Sequence, residues 1–266
     1  MGFLGGIFRP LNAPIRDWQG RRVWLVGAST GIGAALATAL AVRGARVALS
    51  ARSRERLDGV AALCGSEAVV VPMDVTRPQD FERVRDTLVG LWGGIDLVVL
   101  NAGTYRPLRA WELSPDLIRD TLEINLLGTM AGAAAVIPQL QQQAGGAVAL
   151  VGSVAGYGGL PKAAVYGPSK AALINFAETL YMDLAPKGLG VFLINPGFVA
   201  TPLTAQNDFH MPALISAEEA AQRILDGFAR GDFEVHFPRR FTWWLKLLQC
   251  LPRRLYFPLV RRATGL

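Results

Sequence analysis

Tyr166 and Lys170 stand four residues apart, the spacing that puts two side chains on one face of a helix. A free phenol, with a pKa of about 10, is a poor acid or base at neutral pH. An ammonium group beside it stabilises the phenolate and lowers that pKa, which makes tyrosine a usable general acid–base. Thirteen residues earlier, Ser153 ends an apolar run and offers a hydroxyl to hold a substrate carbonyl oxygen. Tyr-x-x-x-Lys alone occurs by chance in many helices. The serine at the end of a strand-like run is what narrows it.

A second constellation suits phosphate. The run Val23–Gly27 leads straight into Gly27-Ala28-Ser29-Thr30-Gly31-Ile32-Gly33, and then into a helical stretch of Ala and Leu. Glycines here let the backbone turn tightly and approach a pyrophosphate, whose charge sits where the free N–H groups of a helix N-terminus point. The spacing 27, 31, 33 differs from the G-x-G-x-x-G of other dinucleotide sites. The next strand ends at Ser50-Ala51-Arg52, where an NAD-selective site carries an acid for the ribose 2′-hydroxyl. Arg52, with Arg54 close behind, instead offers a guanidinium to a 2′-phosphate. NADP(H) is therefore expected over NAD(H), with a solvated basic loop as the alternative. Asp74, in Met73-Asp74-Val75, suits either an adenine amino group or the cap of the following helix.

The elements that must position these groups are short buried strands alternating with helices. Val23–Gly27, Arg46–Ser50, Ala68–Pro72, Ile95–Leu100, Ala147–Val151, Gly190–Asn195 and Phe233–Phe237 read as strands. Residues 31–43, 53–63, 77–92, 115–143 and 164–185 read as helices, the fourth opened by Ser114 as N-cap and Pro115 as first helical residue. That alternation predicts an α/β fold, a parallel sheet with helices on both faces. The 266 residues, 51% hydrophobic and 18% charged, suit one catalytic domain over 20–238, between an N-terminal arm (1–19) and a C-terminal tail (239–266). No run of 18 or more residues is free of charge and proline in the way a spanning helix requires, which argues against an ordinary transmembrane protein. Cys64 and Cys250 form neither a disulfide framework nor a metal cluster, so no metal and a cytoplasmic location are expected.

Taken together, these motifs resemble the short-chain dehydrogenase/reductase family over roughly residues 20–237. The match includes Gly27-x-x-x-Gly31-x-Gly33, Asn101-Ala102-Gly103 after the fourth strand, Asn125, Ser153, Tyr166-x-x-x-Lys170, and Asn195-Pro196-Gly197 followed by Thr201. The resemblance implies a Rossmann-type doubly wound sheet of about seven parallel strands, order 3-2-1-4-5-6-7. It also implies a catalytic tetrad: Tyr166 donates the proton, Ser153 orients the carbonyl, Lys170 binds the nicotinamide ribose, and Asn125 holds a water leading to solvent. Around the cofactor it implies the turn residues Ser29, Thr30 and Ile32 with the three glycines, then Arg52, Asp74 and Val75 along the adenosine. Asn101, Ala102 and Gly103 follow on the next strand end, and Pro196, Gly197, Val199 and Thr201 lie towards the nicotinamide. Val26, Leu100 and Gly152 depart from residues the family often carries there, Thr, Asn and Ser.

The family's substrate lid falls on Pro202–Ile215, which is apolar and without a basic residue, and so suits an apolar ketone, aldehyde or alcohol. His210 reads as a lid or surface residue and His236 as structural. From Val235 to Leu266 there are seven basic residues and no acid, against 20 basic and 21 acidic in the rest. A helix from Phe241 places Thr242, Lys246, Gln249 and Arg253 on one polar stripe, the apolar residues covering the remainder until Pro252 interrupts it. Two partners fit such a tail: a packed face on the domain or another subunit, and peripheral membrane contact through residues 241–260. The family's long helices imply a homodimer or homotetramer, and nothing forms a nucleic-acid stripe. The expected function is an NADPH-dependent reductase. Its rivals are an NAD-linked secondary alcohol dehydrogenase and a non-catalytic dinucleotide-binding regulatory protein.

Overall fold

The structure, a computed structural model, describes residues 9–207 and 211–265. Strands β1 (Arg22–Val26), β2 (Arg46–Ser50), β3 (Val69–Val70), β4 (Leu97–Leu100), β5 (Ala147–Val151), β6 (Gly190–Pro196) and β7 (Glu234–Phe237) form one sheet of order 3-2-1-4-5-6-7. Every pairing is parallel. Because side chains alternate across a strand, the apolar run of β1 feeds two separate cores. Val23 and Leu25 pack with α1 (Gly31–Ala41), α2 (Arg54–Cys64) and α7 (Ala217–Arg230) through Leu36, Leu57 and Phe228. Trp24 and Val26 pack with α3 (Pro78–Trp92), α5 (Gly128–Gln142) and α6 (Tyr166–Leu184) through Phe81, Val136 and Ala177. Two-sided burial is why these strands read as continuous hydrophobic runs.

The expected helix over 115–143 is divided. α4 (Pro115–Leu122) begins as read, with Ser114 Oγ accepting from the Leu117 N–H at 3.3 Å. A single π-helical turn, Glu123–Leu127, then separates it from α5 and carries Asn125 fully buried. By length and composition Pro115–Gln142 is apolar enough to cross a membrane. Its Ala133, Val136 and Leu140 nevertheless lie in the second core, as in an ordinary core helix.

α7 has no counterpart in the sequence reading. Its signals are present: Ser216 Oγ accepts from the Glu219 N–H at 3.1 Å, Glu218 and Glu219 occupy the first turn, and Gly231 closes it at φ 71°. The described part of the arm lies along α7. Trp18 stacks on Phe228 with ring centroids 5.9 Å apart, and the Asn12 amide pairs with both the N–H (2.9 Å) and the carbonyl (2.8 Å) of Val191. The apolar stretch Gly2–Phe8 lies outside the described residues, as do Asp208, Phe209 and His210 of the lid. In the tail, Pro252 separates two helices, α8 (Arg239–Gln249) and α9 (Arg253–Thr264).

Candidate active site

The strand order reverses at β1, between β2 and β4, and a crevice opens there beyond the C-terminal strand ends. A cleft of about 430 Å³ occupies it. Gly27 and Gly31 have φ of +86° and +56°, a region that L side chains avoid. A Cβ on Gly27 would fall 2.6 Å from the Ala102 nitrogen, and one on Gly31 2.8 Å from the Thr201 methyl. Gly33 does a different job: its missing Cβ would meet the Gly27 carbonyl oxygen at 2.1 Å, so it packs α1 onto the strand and does not line the cleft. Asn101 Nδ2 donates to the same Gly27 carbonyl at 2.8 Å, which ties the turn to β4 although Val26 replaces the family's threonine. No side chain caps α1 and no acid sits in its first turn, so its N–H donors face the cleft unclaimed by side chains. A cradle of small residues under a helix N-terminus fits the diphosphate of a dinucleotide.

Ser29, Thr30, Ile32, Arg52, Asp74, Val75, Asn101, Ala102 and Gly103 line one length of this cleft. Ser153, Tyr166, Lys170, Pro196, Gly197, Val199 and Thr201 line the rest. Arg52 is exposed at the end of β2, whereas Arg54 is engaged with Asp58 at 3.7 Å. Asp74 lines the cleft, while its Oδ1 accepts from the N–H and hydroxyl of Thr76 at 3.0 and 2.9 Å, ordering the turn into α3. It does not cap α3, whose N-cap is Arg77 without a side-chain hydrogen bond.

The reacting end is built by β5 and the start of α6. Ser153 follows β5 by two residues, and its hydroxyl bonds to the Tyr166 phenol. Lys170, one turn along α6, is buried and donates to the Val151 carbonyl at 2.8 Å, its Nζ 5.7 Å from the Tyr166 ring centre. The lowering of the tyrosine pKa expected from the lysine is not found. Burial pushes the Tyr166 phenol up to about 12, against the opposing hydrogen bond of Ser153. Burial likewise lowers Lys170 to about 8. With its hydrogen bond aimed at Val151, the ammonium does not offset the desolvation of the phenol.

Asn125 does not line the cleft. Its Oδ1 accepts from the Thr104 N–H at 2.7 Å, and its Nδ2 donates to the Thr104 carbonyl at 2.9 Å and to Ser169 Oγ at 3.2 Å. It thus fastens the segment after β4, where Tyr105 packs edge-on against Tyr166 at 4.9 Å. No sequence pattern marks Tyr105; only the fold brings it there. Pro202, Leu203, Thr204 and Gln206 complete the wall from the lid.

The comparisons agree with this geometry. The family described as short chain dehydrogenase matches residues 21–211. An uncharacterized oxidoreductase of Myxococcus xanthus is 37% identical over 246 residues, 91% of this chain and 97% of that protein. A second uncharacterized oxidoreductase, from Staphylococcus epidermidis, is 31% identical over 76% of this chain and 87% of its own length. Among solved structures, a short chain dehydrogenase/reductase from Burkholderia phymatum in complex with NAD superposes with a TM-score of 0.82 at 22% identity, covering 92% of this chain and 96% of that one. A short-chain type dehydrogenase/reductase from Mycobacterium marinum gives 0.74 at 27%, covering 83% and 95%. With a fold, a glycine cradle and a Ser–Tyr–Lys cluster that all agree, this chain belongs to the short-chain dehydrogenase family and is an NAD(P)-dependent oxidoreductase.

Proposed function

We propose that the protein reduces an apolar ketone or aldehyde with NADPH. The observation that carries this reading is the convergence of Ser153, Tyr166 and Lys170 at one end of the glycine-lined cleft, with Asn125 fastening the neighbouring segment. Bound NADPH supplies the hydride. Ser153 holds the carbonyl oxygen, and Tyr166, still protonated at neutral pH because burial raises its pKa, gives that oxygen a proton. Lys170 would hold the nicotinamide ribose, and its ammonium balances the charge left as the phenol loses its proton. Arg52, given no ion pair among the described residues, is left for the 2′-phosphate. Leu203 and Ile124 supply apolar wall, which excludes water around the reacting carbon.

A homodimer or homotetramer is part of the same proposal, supported by Leu127 and Met130 around the start of α5 and by Met182 on α6, all large apolar side chains left exposed. A cytoplasmic site of action is supported by two free thiols, Cys64 and Cys250. Peripheral membrane contact through residues 241–260 completes the reading.

The test is NADPH oxidation by purified protein across a panel of apolar ketones and aldehydes, with NADH in parallel. Turnover is expected with NADPH, and Arg52→Asp should move the preference towards NADH by at least tenfold in kcat/KM. Equal or better turnover with NADH in the unaltered protein would overturn the cofactor assignment. Light scattering at micromolar concentration reads the assembly, and a monomer would remove it.

A further inference from the structure

A surface helix of a globular protein turns its apolar stripe inward. α8 does this only in part: Phe241, Leu245 and Leu248 turn towards the domain, but polar residues face it too and large apolar ones are left outside. Its polar residues Thr242 and Lys246, one turn apart, face the domain: Thr242 is fully buried with its hydroxyl 2.6 Å from His236 Nδ1, and Lys246 Nζ lies 2.5 Å from Glu234. Its Trp243, Trp244 and Leu247 face outward, 60%, 67% and 55% exposed. Beyond Pro252, α9 is held by Tyr256, whose hydroxyl donates to the Gly159 carbonyl at 2.9 Å, while Leu255 and Phe257 are each 55% exposed. Isolated exposed hydrophobics are ordinary; six large ones on two successive helices, Leu259 being the sixth and three of them aromatic, are not.

Charge selects the occupant. Seven basic residues and no acid lie between Val235 and Leu266; Lys246 pairs with Glu234 and Arg239 with Asp232, which leaves five. A second copy docking through this face would set like charge against like, whereas anionic lipid headgroups complement it. The position matters as much. Phe241, at the start of α8, packs on Phe198 with ring centres 5.6 Å apart, just before the lid. Tyr256 and Lys246 hold the segment after Ser153 through Gly159 and the Tyr157–Glu234 hydrogen bond. The tail therefore touches both segments that frame the substrate end of the cleft.

We propose that α8 and α9 dock the enzyme on an anionic bilayer, with Trp243, Trp244, Leu247, Leu255 and Phe257 in the interface. The substrate end of the cleft then opens beside the membrane, and the carbonyl compound it takes is one dissolved in the lipid. The substrate half of this rests on the reductase reading; the docking half does not.

Full-length protein is sedimented with vesicles of phosphatidylcholine alone or mixed with phosphatidylglycerol, beside two variants. One is Trp243→Ser/Trp244→Ser/Leu247→Ser, the other Arg254→Glu/Arg262→Glu; thermal unfolding at the unaltered temperature shows that each is folded. Unaltered protein should pellet with the anionic vesicles, release at high salt, and stay in solution with phosphatidylcholine alone. Both variants should lose at least tenfold in partitioning while keeping NADPH turnover of a water-soluble ketone. No pelleting by the unaltered protein, equal pelleting by all three, or a dimer dissociated by the serine variant would overturn the docking. Pelleting as expected with no turnover by any of the three would uphold the docking and overturn the reductase reading.

Discussion

The Cβ that any other residue would carry at position 152 falls 2.3 Å from Asn195 Oδ1. Gly152, just after β5 and next to Ser153, and Asn195 on β6 are thus matched: the amide occupies the volume that a side chain would need. Asn195 Nδ2 in turn donates to Glu234 at 2.8 Å, and Glu234 also accepts from Tyr157 and Lys246. Burial alone would raise the Glu234 pKa, but these three donors hold it below the usual carboxylate range. The departure from the family's serine at 152 is therefore the mark of a network linking the tail to the residues around Ser153.

Gly152→Ser should be destabilising even though it restores the commoner residue. The new side chain displaces the Asn195 amide and breaks its bond to Glu234, at a cost of about 1–3 kcal/mol. Thermal unfolding measures this. Adding Asn195→Ala makes room for the serine, so the double variant should lose clearly less than the sum of the two single changes.

Tyr166→Phe keeps the ring against Tyr105 and removes the proton donor. Turnover should fall by about 10²–10⁴-fold, the range for loss of general acid–base catalysis. NADPH affinity, read by the quenching or enhancement of cofactor fluorescence, should change by less than about threefold. Near-normal turnover would remove Tyr166 from the mechanism.

Lys170 sets the expected pH dependence. Burial lowers its pKa from 10.5 to about 8, so the ammonium form is present below that value and is lost as pH rises through it. Tyr166, raised to about 12, stays protonated across the same window. The reductive kcat/KM should therefore be flat through neutral pH and fall above about pH 8. Lys170→Met should lower the rate and abolish that limb; an unchanged limb would assign it to another group.

Lys246→Met leaves Glu234 with only Tyr157 and Asn195 as donors. Removing one partner of a partly buried pair should cost about 1–3 kcal/mol, seen as a lower melting temperature. Because Tyr157 begins the segment between Ser153 and Tyr166, KM for the carbonyl substrate should rise while NADPH affinity holds. Lys246→Arg should restore both.

The strands and the chemical motifs were legible because parallel strands buried on both faces must be apolar throughout, and because turn glycines and strand-end side chains act close to where they stand in the chain; the strand order came only with the resemblance to the family. α7 too carries its signals in the chain, in Ser216, Glu219 and Gly231. Other features depended on groups distant in sequence. The stripe Thr242–Lys246 is visible in the chain, yet its direction follows from Glu234 and His236, which a helix pattern does not contain. The Tyr166 pKa follows the balance between burial and an ammonium group, and that balance turned on Lys170 aiming at the Val151 carbonyl. Asn125 reaches Thr104 and Ser169, and Gly152 reads as a missing serine until Asn195 fills its space. Periodicity specifies which residues share a face. What that face meets, and how much water is left there, is decided by packing between segments far apart in the chain, 97 residues between Tyr256 and Gly159 and 179 between Asn12 and Val191.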